Sequence, residues 1–160
     1  MPHDLSGRLR STIDIELPHL IELTNEQAGQ DRGPGKWSAK EELGHLIDSA
    51  ANNHIRFVLA TVDGEFRGQG YAQDLWVQAH GYRDLPWKML VDLWHSYNVL
   101  IAHLIERIPE EHLGNRCVIG WGVLTLGFVM EDYLVHMQHH LDHILSRAVV
   151  TPYPPLSTTT

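Results

Sequence analysis

Four histidines fall within eight positions in the stretch Glu131-Asp132-Tyr133-Leu134-Val135-His136-Met137-Gln138-His139-His140-Leu141-Asp142-His143-Ile144. Read as a helix, this stretch stacks His136 and His140 on one face, because they are four residues apart. Imidazole is a good ligand for Zn, Ni, Cu or Fe. The chemistry suggested is therefore capture of a divalent metal ion. Two imidazoles do not complete such a site, since zinc-like ions take three or four donors at about 2.0–2.2 Å. At least one donor has to come from another helix. His139 and His143 repeat the spacing as a shifted pair, off the central seam of the segment.

The elements that must position these residues are read from apolar periodicity. A first helix is expected from about Leu5 to Ala28, with Leu9, Ile13, Leu17, Leu20 and Leu23 as its core stripe. Pro18 inside it predicts a kink or a break, and Pro34-Gly35 predicts a turn. Ser38 begins a second helix with Glu41 at the capping-box position and Trp37 as half of a hydrophobic staple. This helix is expected to reach about Ala60, lined by Leu43, Ile47, Ala50, His54, Phe57 and Val58. Gly44 interrupts it, at modest cost or to admit a close neighbour.

From Asp63 to Leu85 the pattern dissolves into glycines with Arg67, Tyr71, Trp76 and Tyr82 between them. A long connection of this kind reads as a lid or pocket wall, or as a surface crossover pinned by its aromatics. Pro86 opens a third helix with the stripe Trp87, Leu90, Trp94, Tyr97, Ile101, Leu104 and Ile108, closed by Pro109. Its aromatics read as core packing. Residues 110–122 form a second connection. A fourth helix runs from about Thr125 to Arg147 along the seam Leu126, Val129, Tyr133, His136, His140, Ile144 and Arg147. The tail from about residue 151 is expected to be irregular, and Ser157 to Thr160 frayed. Four amphipathic segments make an all-α four-helix bundle, with residues 1–160 as one domain.

Composition excludes several classes. The chain has 160 residues, 43% hydrophobic and 20% charged, with a formal net charge of −8. The hydrophobic content suits a folded core, and the acidity argues against nucleic acid or an anionic membrane as partner. Cys117 is the only cysteine, so no intrachain disulfide forms and a reducing cytoplasm is the default compartment. The lone thiol reads as buried filler. No signal peptide is evident at the N-terminus, and no apolar run is long enough to span a membrane.

The second helix offers two histidines as the missing donor. On a helical wheel His54 sits within the apolar stripe, whereas His45 falls toward the side of Asn52 and Arg56. Periodicity alone favours His54. The segments Gly35-Lys36-Trp37-Ser38-Ala39-Lys40-Glu41-Glu42-Leu43-Gly44-His45-Leu46 and His136-Met137-Gln138-His139-His140-Leu141-Asp142-His143-Ile144 point the other way. In both, the chain resembles the DinB/YfiT-like superfamily of metalloenzymes. The resemblance implies an up-down-down-up four-helix bundle with a long connection between helices 2 and 3. It implies a divalent metal held by His45, just after the tryptophan-containing turn, and by the pair His136 and His140. His143 stands where the family pattern commonly has Gln.

Three neutral imidazoles leave the charge of an ion largely uncompensated and a coordination position open, for water or for a thiolate. The expected function is activation of a low-molecular-weight thiol or of water for attack on a small electrophile. The resemblance adds thiol-dependent S-transferases among the related bundles. Metal-assisted hydrolysis is the alternative and calls for an inward Asp48 or Glu131; a non-catalytic metal-binding stress bundle is another. The ion is expected to be Zn, Ni or Fe, with zinc first. Outer partners for the ligands are sought in His143, Asp142, Asp48, Glu131 and Asp132. Arg56, Arg67 and Arg83 are candidates to meet a carboxylate, and His95 and His103 read as structural or exposed. A homodimer is expected through Trp94, Phe128 or Met130.

Overall fold

The computed structural model describes residues 2–153. In chain order these form α1 (Pro2–Glu22), α2 (Asn25–Ala28), α3 (Ala39–Val62), β1 (Glu65–Gly68), α4 (Gln73–His80), α5 (Trp87–Glu106), β2 (Arg116–Ile119), β3 (Gly122–Thr125) and α6 (Leu126–Ile144). The four long helices α1, α3, α5 and α6 make the expected all-α bundle. Helix α3 packs between α5 and α6, and α1 closes the bundle against the same two helices.

Local sequence explains most of the boundaries. The Ser38 hydroxyl accepts from the Glu41 N–H at 3.3 Å, and the Glu41 carboxylate accepts from the Ser38 N–H at 2.8 Å, so two orphan donors are satisfied reciprocally. Thr125 caps α6 in the same sense, accepting from the Phe128 N–H. Pro18 does not end α1. Its ring faces solvent, and the helix continues to Glu22. The break comes after Leu23, where Thr24 and Gln27 cap α2 with a capping box of their own.

Both connections hold more structure than their sequence suggests. The first contains β1, α4 and a single 3₁₀ turn over Tyr82–Asp84. The second contains β2 and β3. Together they form a small sheet in which β1 pairs parallel with β2 (Glu65 opposite Arg116) and β2 pairs antiparallel with β3 (Ile119 opposite Gly122). Gly120 supplies the left-handed backbone of the tight hairpin, at φ 58°. These strands are four residues each, too short to display an alternating pattern.

The core runs through Leu9, Leu43, Phe57, Trp94, Ile105 and Leu126. Trp94 and Met130 are buried here, and of the three residues expected at a dimer surface only Phe128 is exposed. The core stripes of α5 and α6 pack within the bundle, while Met89, Leu93, Val99 and Leu100 of α5 are exposed. The expected fraying of Ser157 to Thr160 lies outside the described residues.

Helix α3 packs against α5, α6, α4 and the 3₁₀ turn, and its N-terminal half is the enclosed part. Every residue from Glu42 to Ala50 is buried. Gly44 makes this enclosure possible, because a Cβ there would overlap the Tyr82 ring.

Candidate metal centre

Helices α3 and α6 bring His45, His136 and His140 together, with ligand nitrogens all within 4.8 Å of one another. His45 Nε2 and His136 Nε2 are 2.8 Å apart. The three rings meet edge to face, with centroids 4.8, 4.7 and 4.5 Å apart. Metal–nitrogen bonds of about 2.0–2.1 Å place neighbouring ligand atoms about 3 Å apart, so this spacing suits a shared ion.

Burial sets the protonation state. His45 and His136 are 0% and 5% exposed. Desolvation, reinforced by charge on His140, lowers their pKa values to about 3 and about 2. Both rings are therefore neutral near pH 7 and carry a lone pair. Two facing Nε2 atoms can bond each other only if one is protonated. Either choice leaves the buried Nδ1 of His45 without a partner, a cost for a polar atom away from water. A cation between the rings would engage both Nε2 lone pairs in place of that bond, with His45 Nδ1 unpartnered in either case. The donor set thus fits a divalent ion by its chemistry.

Glu42 orients the third imidazole. Its Oε1 accepts from His140 Nδ1–H at 2.8 Å and from His143 Nδ1–H at 3.0 Å, leaving the His140 Nε2 lone pair for the cluster. Arg32 holds the other Glu42 oxygen at 3.4 Å and donates to the carbonyls of His143 and Ile144, both at 2.8 Å. Ser49 lies 3.5 Å from His136 Nδ1. Trp37 packs on His45 and Tyr153 on His136, each at a centroid distance of 4.9 Å. Glu42, His140 and His143 form a second, overlapping group of close ligand atoms. Sequence reasoning missed Glu42, though its place three residues before His45 puts both on one face.

Other candidates are occupied elsewhere. His54, which periodicity favoured, lies 3.2 Å from the Tyr97 hydroxyl through its Nδ1. The wheel misled because an enclosed helix has no single core face. His139 donates to the Thr151 carbonyl at 2.8 Å and belongs to neither group of close ligand atoms among the described residues. Asp48 accepts from Tyr82 at 2.6 Å and lies 3.3 Å from His80, with burial raising its pKa. Glu131 pairs with Arg8 at 2.9 Å near the surface. Asp142 accepts from Arg147 at 2.6 Å and from the Val150 N–H at 3.1 Å, tying down the chain after α6. Arg67 pairs with Glu65, and Arg83 with Glu41. His95 is half-buried and His103 exposed, outside the cluster. Cys117 is buried in β2, which raises its thiol pKa and makes it a poor nucleophile.

Two cavities flank the cluster. A cleft of about 790 Å³ opens on His140 and is lined by Arg32, Lys36, Trp37, Glu42 and His143. A smaller cavity of about 190 Å³ meets His136 and is lined by Ser49, Arg56, Tyr71, Asp132 and Tyr153. The connection between α3 and α5 supplies wall to both, through Asp74 and Tyr71.

An all-α bundle with a histidine cluster between its second and last long helices defines the class, and residues 8–144 match the DinB superfamily. The chain belongs to that family, as its two motif segments imply. It is 26% identical over 144 residues to "Putative metal-dependent hydrolase OB0782" of Oceanobacillus iheyensis, covering 89% of this chain and 79% of that one. A protein of the same description from Bacillus licheniformis is 26% identical over 136 residues, covering 81% and 77%. Among solved structures, YfiT from Bacillus subtilis, described as a probable metal-dependent hydrolase with an unusual four-helix bundle topology, matches with a TM-score of 0.80 at 19% identity. That match covers 91% of this chain and 84% of YfiT, and shows the shared fold. Among the described residues no helix is long and apolar enough to cross a membrane.

Proposed function

We propose that this protein is a metal-dependent hydrolase of a small molecule, with the ion held by His45, His136 and His140. The observation that carries the reading is the convergence of three imidazoles, two of them buried and neutral, on one point between α3 and α6. A divalent ion there supplies Lewis-acid chemistry, polarising an oxygen and easing loss of a proton from water. The relatives' descriptions support hydrolysis ahead of transfer to a thiol. No residue lining either cavity selects sulfur over water.

The chain's own residues supply the rest. Asp48 and Glu131 are not among the residues lining either cavity beside the cluster. His143 lines the larger cleft, and its Nδ1–H is held by Glu42. Its Nε2 accepts a proton from the attacking water, and Glu42 stabilises the imidazolium that results. Arg32 fixes Glu42 and thereby the tautomers of His140 and His143. Trp37 and the backbone around Gly35 shape the opening through which a substrate enters.

Elemental analysis of the purified protein fixes the ion, with zinc expected ahead of nickel or iron. A panel of small esters, amides and lactams is then assayed on metal-loaded, chelated and His140→Ala protein, with and without added thiols. Hydrolysis confined to the loaded wild type is expected. Equal rates in loaded and chelated protein would remove the metal from the reaction, and a strict thiol requirement would restore the transferase reading.

A further inference from the structure

We infer that the smaller cavity receives an α-amino carboxylate, the head group of a free amino acid or of a conjugate that leaves both of its charges free. Arg56 and Asp132 line this cavity together and are both half-buried. Among the described residues neither forms an ion pair. That separates them from the neighbouring charges, since Arg32 pairs with Glu42 and Arg147 with Glu16 and Asp142. A guanidinium and a carboxylate that share one partly desolvated cavity beyond ion-pair distance recover only part of their lost solvation from each other's charge. A ligand bearing a carboxylate and an ammonium on one carbon satisfies both at once.

The remaining lining supports the assignment. Arg56 donates to Asn53 Oδ1 at 3.2 Å, and Asn53 is itself anchored on α3 by a 2.9 Å bond to the Ser49 carbonyl. This aims the guanidinium, the side chain suited to paired bonds with a carboxylate. Tyr153 donates to Asp132 at 3.3 Å, leaving the other carboxylate oxygen for an ammonium. Burial pushes the Tyr71 and Tyr153 phenols up to about 12, so both stay neutral hydrogen-bonding groups. Volume narrows the class, because about 190 Å³ is below the roughly 300–1,000 Å³ of pockets for drug-sized ligands. Only a small head group enters. Buried Ser49 and His136 also line this cavity, so the head group lies beside one of the histidines of the proposed function, although its binding does not rest on that function.

The test is an amide NMR titration of the full-length, chelated protein with L-alanine, propionate and ethylamine, carried into the millimolar range. Saturable shifts at Ser49, Asn53 and Arg56 are expected with L-alanine, and binding at least about tenfold weaker for either half alone. Arg56→Gln is expected to abolish the responses to alanine and propionate while sparing ethylamine. Asp132→Asn is expected to do the reverse to the two halves. Arg56→Lys, which keeps the charge, restores part of the alanine response and guards against a folding artefact. Absence of saturable shifts with alanine, or propionate binding as tightly as alanine, overturns the inference. So does alanine binding that requires metal, since the ligand would then sit on the histidines. Alanine binding that persists in a protein with no metal-dependent hydrolysis sinks the proposed function and leaves this site standing.

Discussion

The two halves of α3 belong to one continuous helix and serve different ends. From Glu42 to Ala50 every position is buried, and four of them are polar: Glu42, His45, Asp48 and Ser49. From Asn52 onward the helix is amphipathic, with Ile55, Leu59 and Val62 exposed at 56%, 38% and 74%. Polar groups are costly to bury without partners. The enclosed half tolerates them because Glu42 is bound to two histidines and an arginine, and Asp48 to a tyrosine. The difference teaches that enclosure, rather than apolar periodicity, marks where this helix gathers its polar side chains.

The largest expected effect contrasts one histidine from each half. His45→Ala should lower metal affinity by more than the roughly 10–100-fold typical of losing an outer partner, whereas His54→Ala should leave the metal content of the purified protein unchanged. Retention of metal by the first variant and loss by the second would reverse the comparison. A steric contrast comes next. Gly44→Ala drives a methyl group into the Tyr82 ring and should destabilise by about 1–3 kcal/mol in urea unfolding. Ile55→Ala, on the exposed half, should stay within about 0.5 kcal/mol. Glu42→Gln keeps the shape of the site but weakens its hold on His140. Metal affinity should fall about 10–100-fold in a competition titration.

Acidification sharpens the comparison further. In the metal-free protein the folded pKa values of His45 and His136, about 3 and about 2, lie below the ordinary 6.5. The unfolded chain therefore takes up protons first as pH falls. Stability contributed by the neutral rings is full above about pH 6.5 and is lost at roughly 1.4 kcal/mol per pH unit for each ring as pH drops toward the folded values. His54→Ala should leave this slope intact, while His136→Phe should reduce it, as read from urea midpoints across pH. A modest effect is expected at His54, on the exposed half. Tyr97→Phe removes the bond to His54 and should cost about 0.5–1.5 kcal/mol, with no change in metal content.

Much of this arrangement is local and so legible in the chain. Ser38 with Glu41, and Pro86 before Trp87, act through neighbours within a turn, and the helix starts they predict are observed. The sheet was not legible, since strands of four residues pair across long separations and carry no period of their own. Glu42 was readable in principle from its spacing to His45. The meeting of Arg56 and Asp132 was not, because they come from different helices and share only a cavity.

By itself the sequence determined four long helices, the starts of α3 and α5 and the stacking of His136 with His140, all consequences of interactions a few residues apart. Periodicity favoured His54 and the motif resemblance His45; the tertiary structure brings His45 to that pair. The stretch of α3 from Glu42 to Ala50, which carries His45, is buried throughout and has no solvent side from which an inward direction can be counted. The choice between His45 and His54 is made by which part of α3 lies level with His136 and His140 when α3 and α6 pack.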